Sequence, residues 1–178
     1  LGDLSEHLIP LIHEKCIGCP AAAAYAPPEL IELGKPHPVR VIDPSRDNVL
    51  MTFDYELRGD GLGYAGGRKN QDFIKGWNNN DQSMYWEFRT ARKGTFDFAL
   101  NYATGRENEE GELELIIDGQ SVPFHYTGFV TSNGRPTTLP IGSIKLERGK
   151  HTCELRGVST TGSAYPRPYA LVINKQTK

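Results

Sequence analysis

The sequence has few of the features that mark several large protein classes. Its 178 residues include only three cysteines, too few for a disulfide scaffold, and the odd number leaves one thiol unpaired. No apolar run approaches the roughly 20 residues that a bilayer-spanning helix needs. The longest weakly polar stretch, 17–28, is rich in alanine and proline. The formal net charge is −2 without a long run of either sign, which argues against nucleic acid and membranes as partners.

The sequence also lacks the short motifs of common catalytic sites. Neither Gly-x-Ser-x-Gly nor His-Glu-x-x-His occurs, and the sequence pairs no two carboxylates into an acid/base site. The hydrophobic fraction of 38% and charged fraction of 24% are typical of a globular domain. The length fits one domain with a short additional segment. We therefore expect a domain without catalytic activity of its own.

Residues 1–36 differ from the rest of the chain, and we predict a short helix followed by a linker. The apolar residues at helical spacing are Leu4, Leu8, Leu11 and Ile12. His13, Cys16 and Cys19 follow at intervals of three. They could hold a metal such as zinc, or the cysteines could form a redox pair or a disulfide. The remaining alternative is a plain tether.

From residue 38 onward, apolar and polar residues alternate with a period of two. The apolar faces comprise Met84, Trp86 and Phe88 in one segment, and Phe96, Phe98, Leu100 and Tyr102 in the next. Residues 112–117 repeat the pattern and end at Asp118-Gly119, a hairpin signal. Such strands bury one face and expose the other. About seven to nine of them, separated by turn residues, predict an antiparallel β-sandwich over residues 37–178.

Several motifs occur in a fixed order over roughly residues 48–175. They are an aromatic strand with a Gly-aromatic turn and an aromatic-Ala end (86–103), an Asp-Gly turn (118–119), a Thr segment ending in an aromatic (127–129) and Leu-x-x-Gly-x-His-x-x-x-Leu (146–155). In this order they resemble the carbohydrate-binding modules of families 6 and 35. The resemblance implies an all-β, galactose-binding-like jelly roll that binds a polysaccharide or oligosaccharide and carries no catalytic residues.

Similar domains are appended to bacterial sulfatases and glycosidases, so the resemblance implies the catalytic domain of a parent enzyme as a second partner. The sulfatase nucleophile motif Cys-x-Pro-x-Arg is absent from this chain. We expect a secreted or periplasmic bacterial protein that targets an attached polysaccharide-degrading enzyme to its substrate. The alternative is a structural accessory sandwich that packs on a sulfatase or glycosidase domain and has no sugar site.

Aromatic rings stack on the apolar faces of sugars, and Asn, Asp and Arg side chains hydrogen-bond the hydroxyls. The resemblance places binding residues before the aromatic strand, after the Thr segment and at the chain end. Loops 76–81 and 165–169 are further candidates, because loops on rigid scaffolds commonly carry binding. The predicted set is Tyr64, Trp77, Asn79, Asp81, Phe129, Tyr165, Arg167, Tyr169 and Asn174. The alternative for Trp77 and Tyr169 is that they cap the core.

The resemblance also implies a structural calcium ion. Calcium prefers oxygen ligands, which carboxylates and backbone carbonyls supply. The candidate ligands are Asp43, Asp47, Asp54 and Glu56. The alternative is that these carboxylates are solvated or cap turns.

Overall fold

The computed structural model describes residues 40–42, 47–51, 56–65, 73–131 and 135–175. The predicted helix and linker at 1–36 lie outside these residues. In the described part of the chain no helix is long and apolar enough to cross a membrane. Its strands are β1 Arg40–Ile42, β2 Asn48–Met51, β3 Glu56–Arg58, β4 Gly63–Ala65, β5 Phe73–Lys75, β6 Ser83–Thr90, β7 Gly94–Ala103, β8 Gly111–Ile117, β9 Gln120–Tyr126, β10 Thr137–Leu146, β11 Gly149–Thr160 and β12 Arg167–Lys175.

The strands form two main sheets and one small hairpin. The larger sheet has the order β1-β6-β11-β8-β9, with β3 also paired to β6. The smaller sheet has the order β10-β7-β12-β2, and β4 pairs with β5. Every pair is antiparallel except β1 with β6, which is parallel. The predicted all-β, mainly antiparallel architecture is confirmed.

The core lies between the two main sheets, where the alternating apolar faces meet. The rings of Phe88 on β6 and Phe98 on β7 lie 6.4 Å apart across this interface. The other predicted inward residues of both strands are also buried. Cys153 on β11 is a buried free thiol, and burial, followed by the charges of Asp118 and Glu154, raises its pKa well above the usual value.

Strand directions gather four loops at one end of the sandwich. The start of β6 and the end of β7 share this end, because the short turn between the two strands lies at the other. We name the end that holds the start of β6 and the end of β7 the loop end. Its segments are 76–82, 104–110, 127–131 and 161–166. We name the opposite end of the sandwich the turn end. Its turns are 91–93, 118–119 and 147–148.

At the turn end, Asp118 and Gly119 form the predicted hairpin turn between β8 and β9. Their φ angles are 50° and 84°, and a type I′ turn requires positive φ at both positions. The Asp118 carboxylate accepts hydrogen bonds from His151 Nδ1 at 2.6 Å and Thr152 N at 2.9 Å. Burial raises the pKa of Asp118, but these hydrogen bonds outweigh it, and the pKa lies below its usual value.

Because the folded-state pKa of Asp118 is lowered, its carboxylate stabilises the fold above the unfolded-state value of about 3.9. This contribution is lost as the pH falls through the folded-state pKa. We predict that Asp118→Asn unfolds at lower urea concentration than the wild type at pH 7. The difference between the two midpoints should shrink below about pH 4. An equal difference at pH 7 and pH 3 would contradict this role.

Candidate functional site

A buried amide holds the loop at 76–82 in place. Gln82 Oε1 accepts hydrogen bonds from the backbone N–H groups of Asn78 at 2.8 Å and Asn79 at 3.1 Å. Its Nε2 donates to the carbonyls of Asp60 at 2.6 Å and Gly76 at 2.9 Å. All four polar contacts of this 1%-exposed side chain are therefore satisfied. Sequence reasoning missed Gln82, because a glutamine beside a polar run carries no mark of burial.

Trp77 and Tyr165 lie inside the sandwich at the loop end. Trp77 is 1% exposed and Tyr165 5% exposed, with ring centroids 4.9 Å apart. Tyr165 N donates to the Trp77 carbonyl at 2.8 Å, and Tyr165 Oη donates to Asn80 Oδ1 at 2.6 Å. Burial raises the pKa of Tyr165. Neither ring offers a face to a sugar in this conformation. A sugar-stacking role for the pair stays a prediction. The burial of Trp77 agrees with the alternative that this residue caps the core.

The other predicted binding residues divide between the two ends. Tyr169 is 5% exposed and packs against Phe73, with ring centroids 5.4 Å apart. Tyr64 on β4 is partly buried against the core. Asn174 pairs with Asp97 toward the turn end. It is therefore remote from the remaining candidates. The exposed members of the set at the loop end are Asn79, Asp81, Phe129 and Arg167.

Phe129 is the exposed aromatic residue of this group, and its backbone is held by Thr104. Phe129 N donates to Thr104 Oγ1 at 2.7 Å, and Thr104 N donates to the Phe129 carbonyl at 2.8 Å. The Thr104 hydroxyl also donates to the Arg106 carbonyl at 2.8 Å. Thr104 is only 2% exposed. A side chain that is 38% exposed thus stands on a fixed backbone.

Arg167 and Glu109 place opposite charges beside the end of β7. Arg167 begins β12 and pairs with Ala103. Its guanidinium carbon lies 5.4 Å from the centroid of the Phe73 ring. Glu109 Oε2 accepts hydrogen bonds from the N–H groups of Gly105 at 2.9 Å and Arg106 at 3.2 Å. The loop end therefore offers a cation, a carboxylate and an aromatic ring close to residues 103–105.

The predicted calcium ligands do not meet among the described residues. Asp47 precedes β2 of the smaller sheet, whereas Glu56 lies on β3 of the larger sheet and pairs with Arg58 Nε at 3.1 Å. Asp43 and Asp54, like His13, Cys16 and Cys19, lie outside the described residues. Within the described ranges, no group of three His, Cys, Asp or Glu residues could hold a metal. Calcium binding stays a prediction.

Comparison with known families places the chain in one of them. The profile of the family "Domain of unknown function (DUF5077)" matches residues 63–178. The chain belongs to the DUF5077 family. The match begins at the first residue of β4, so strands β1–β3 lie before it although they pair within both main sheets of the DUF5077 domain. No curated protein sequence matches the chain.

Solved structures share the fold of this DUF5077 domain at low sequence identity. A family 35 carbohydrate binding module from Clostridium thermocellum is 14% identical with a TM-score of 0.59, over 74% of this chain and 99% of that one. The Podospora anserina GH26-CBM35 β-(1,4)-mannanase is 11% identical with a TM-score of 0.59 over 74% of this chain, which covers 28% of the mannanase.

The Cry4Aa toxin from Bacillus thuringiensis is 12% identical with a TM-score of 0.65, over 80% of this chain and 25% of the toxin. The fold is therefore the galactose-binding-like sandwich of carbohydrate-binding modules, as the sequence motifs predicted. The toxin shows that the same fold also occurs in other contexts, so the ligand has to be argued from the site.

Gly157 provides a test of the buried position of Tyr165. A Cβ at Gly157 would overlap the Tyr165 ring, so Gly157→Ala should lower the free energy of unfolding by about 1–3 kcal/mol. Gly63→Ala is the control, because its nearest neighbour, Lys75 Cε, lies 3.6 Å from the added carbon. Denaturant unfolding measures both variants. An unchanged free energy of unfolding in Gly157→Ala would show that the Tyr165 ring leaves the core readily.

Thr104 provides a test of how Phe129 is held. Thr104→Val keeps the shape but leaves the Phe129 N–H and the Arg106 carbonyl without their hydroxyl partner. We expect the free energy of unfolding to fall by about 1–3 kcal/mol. Amide hydrogen exchange at residues 127–131 should also accelerate. Thr104→Ser, which retains the hydroxyl, should behave as the wild type. Equal exchange rates in the Val and Ser variants would refute the anchoring role.

Proposed function

We propose that this DUF5077 domain is a non-catalytic carbohydrate-binding module that binds a polysaccharide or oligosaccharide at its loop end. The observation that carries the proposal is the exposed Phe129 ring, whose backbone is anchored by Thr104, while the exposed Arg167 pairs with the preceding residue, Ala103. This arrangement stands on a sandwich whose fold is that of carbohydrate-binding modules. It joins an apolar surface to polar groups, as a sugar-binding surface requires.

The chemistry of sugars explains why this combination suits them. A pyranose ring presents an apolar face of C–H groups, and a flat aromatic ring removes that face from water. Its rim of hydroxyl groups needs hydrogen-bond partners, which Arg167, Asn79 and Asp81 can supply as exposed side chains of the loop end. The aromatic ring provides affinity and the polar groups provide orientation.

The proposed role of the domain is to hold an attached polysaccharide-degrading enzyme near its substrate. Tethering raises the effective concentration of the catalytic domain at the polysaccharide without changing the chemical step. A secreted or periplasmic bacterial location, as the resemblance implies, agrees with this role because an exported enzyme meets its polysaccharide outside the cytoplasm. The catalytic domain of the parent enzyme is then the second partner.

Binding of the full chain to a glycan array tests the proposal. We expect Phe129→Ala to weaken binding about tenfold, since loss of the ring forfeits roughly 1.5 kcal/mol of apolar burial. Phe129→Trp retains a flat ring and should bind at least as well as the wild type. Val41→Ala is the matched control, because Val41 is an exposed apolar side chain, 56% exposed, on the distant β1.

Two results of this experiment would count against the proposal. Absence of binding to every glycan on the array would refute carbohydrate binding. Wild-type affinity of Phe129→Ala would exclude the loop end as the binding surface. Thermal unfolding of each variant verifies that a loss of binding does not come from a loss of fold.

A second candidate function is a structural accessory sandwich that packs on a sulfatase or glycosidase domain without a sugar site. The burial of Trp77, Tyr165 and Tyr169 favours it, because three aromatic rings of the predicted site serve the core in this conformation. Under this alternative, the exposed Phe129 and Val130 contact the catalytic domain. The chain would then bind no glycan in the same array.

A further inference from the structure

A small polar niche lies over Gly105 at the loop end. A Cβ placed on Gly105 would lie 3.5 Å and 3.6 Å from the two carboxylate oxygens of Glu109 and 3.8 Å from Arg167 Nη2. These are the three atoms nearest to that point. The Glu109 carboxylate and the Arg167 guanidinium thus both lie within ordinary contact distance of the position that a side chain at Gly105 would occupy. We name Gly105, Glu109 and Arg167 the Gly105 niche.

The hydrogen-bonding capacity of the niche is only partly used by the protein. Glu109 Oε2 receives the N–H groups of Gly105 and Arg106, whereas Oε1 receives no hydrogen bond from any described residue. Arg167 makes its ring contact with Phe73, but its guanidinium donates to no acceptor in the described ranges. An acceptor and a set of donors that no described residue engages therefore lie near the same glycine.

The protein holds the Glu109 side of the niche in position. Two backbone N–H groups fix the Glu109 carboxylate, and Gly162 packs closely against its side chain. The backbone of Arg167 is paired with Ala103 in the smaller sheet. Gly105 directly follows Thr104, the residue that anchors Phe129. The backbone of Phe129 is thus attached to the residue next to the niche.

We propose that the Gly105 niche binds hydroxyl groups of an uncharged sugar. This proposal rests on carbohydrate binding at the loop end. A hydroxyl donates to Glu109 and accepts from Arg167, so it satisfies both sides at once. A carboxylate or sulfate can only accept, and the Glu109 charge repels it. An ammonium group can only donate, and the Arg167 charge repels it. The niche therefore selects neutral glycans over acidic or amino sugars.

The test uses xylan and mannan oligosaccharides as neutral probes and oligogalacturonate as the acidic probe, with affinities from titration calorimetry on the full chain. Gly105→Ala places a methyl group in the niche with its nearest neighbour at 3.5 Å, so the fold should tolerate it. We expect the affinity of Gly105→Ala for the best neutral probe to fall about tenfold, the effect of losing one charge-assisted hydrogen bond.

Two further variants separate the niche from general charge effects. Glu109→Gln removes the charge and one acceptor oxygen of the niche, so affinity for the neutral probe should also fall. Glu107→Gln makes the same charge change at an exposed position of the same loop and should leave affinity unchanged. Binding of the neutral probe by the wild type should not depend on salt concentration, because the ligand carries no charge.

The outcomes distinguish the niche from the proposed function. A wild-type chain that binds neither these probes nor any glycan of the array overturns both proposals. A wild-type chain that binds a neutral probe, with Gly105→Ala and Glu109→Gln unaffected, overturns the niche and leaves carbohydrate binding intact. Preferential, salt-sensitive binding of oligogalacturonate would likewise overturn the niche alone. Unchanged thermal unfolding of Gly105→Ala and Glu109→Gln verifies that a weakened affinity reports on the niche.

Discussion

Contact between the inward aromatic faces of β6 and β7 is the interaction on which the rest of the structure depends. Phe88 and Phe98 meet across the two sheets, and the inward residues of both strands are mainly apolar. The polar groups among them have partners: Thr90 donates to the Glu147 carbonyl and Tyr102 to the Thr127 carbonyl. The space between the sheets is thus occupied by buried side chains of the protein itself. A ligand is therefore expected to bind at one of the two ends or on one of the two outer faces of the sandwich.

The outer face of the larger sheet and the loop end differ in how far their charges are already satisfied. On the outer face, Arg58 stacks on Tyr85 at 3.8 Å and contacts the carboxylates of Glu56 and Glu154. Glu154 also accepts from Ser83 and Arg156. Such a network stabilises the sheet and leaves little for a ligand. At the loop end, by contrast, Arg167 and one oxygen of Glu109 keep their hydrogen-bonding capacity.

The long strands β6, β7 and β8 were predictable from the sequence because alternation reports directly on which face is buried. The three-residue strands β4 and β5 are too short to show alternation, so the described chain has twelve strands rather than about seven to nine. The Asp118-Gly119 turn was predictable because its two residues tolerate positive φ. The burial of aromatic residues in the loops was not predictable from the sequence. Trp77 and Phe129 both follow a glycine in polar segments, yet the Trp77 ring is buried and the Phe129 ring is exposed. That difference depends on long-range hydrogen bonds, such as those of Gln82, which leave no local pattern. The Gly105 niche likewise requires two segments, the loop at 104–110 and the start of β12, to meet.

The central claim is that the loop end, rather than an outer face or the turn end, receives a sugar. Chemical-shift mapping by NMR during titration with neutral oligosaccharides tests it most directly, because every backbone amide reports at once. The account predicts that the largest shifts cluster at residues 104–109 and 127–131, with the turn at 118–119 unaffected. Shifts concentrated on the outer face of either sheet, or none at any sugar concentration, would contradict it.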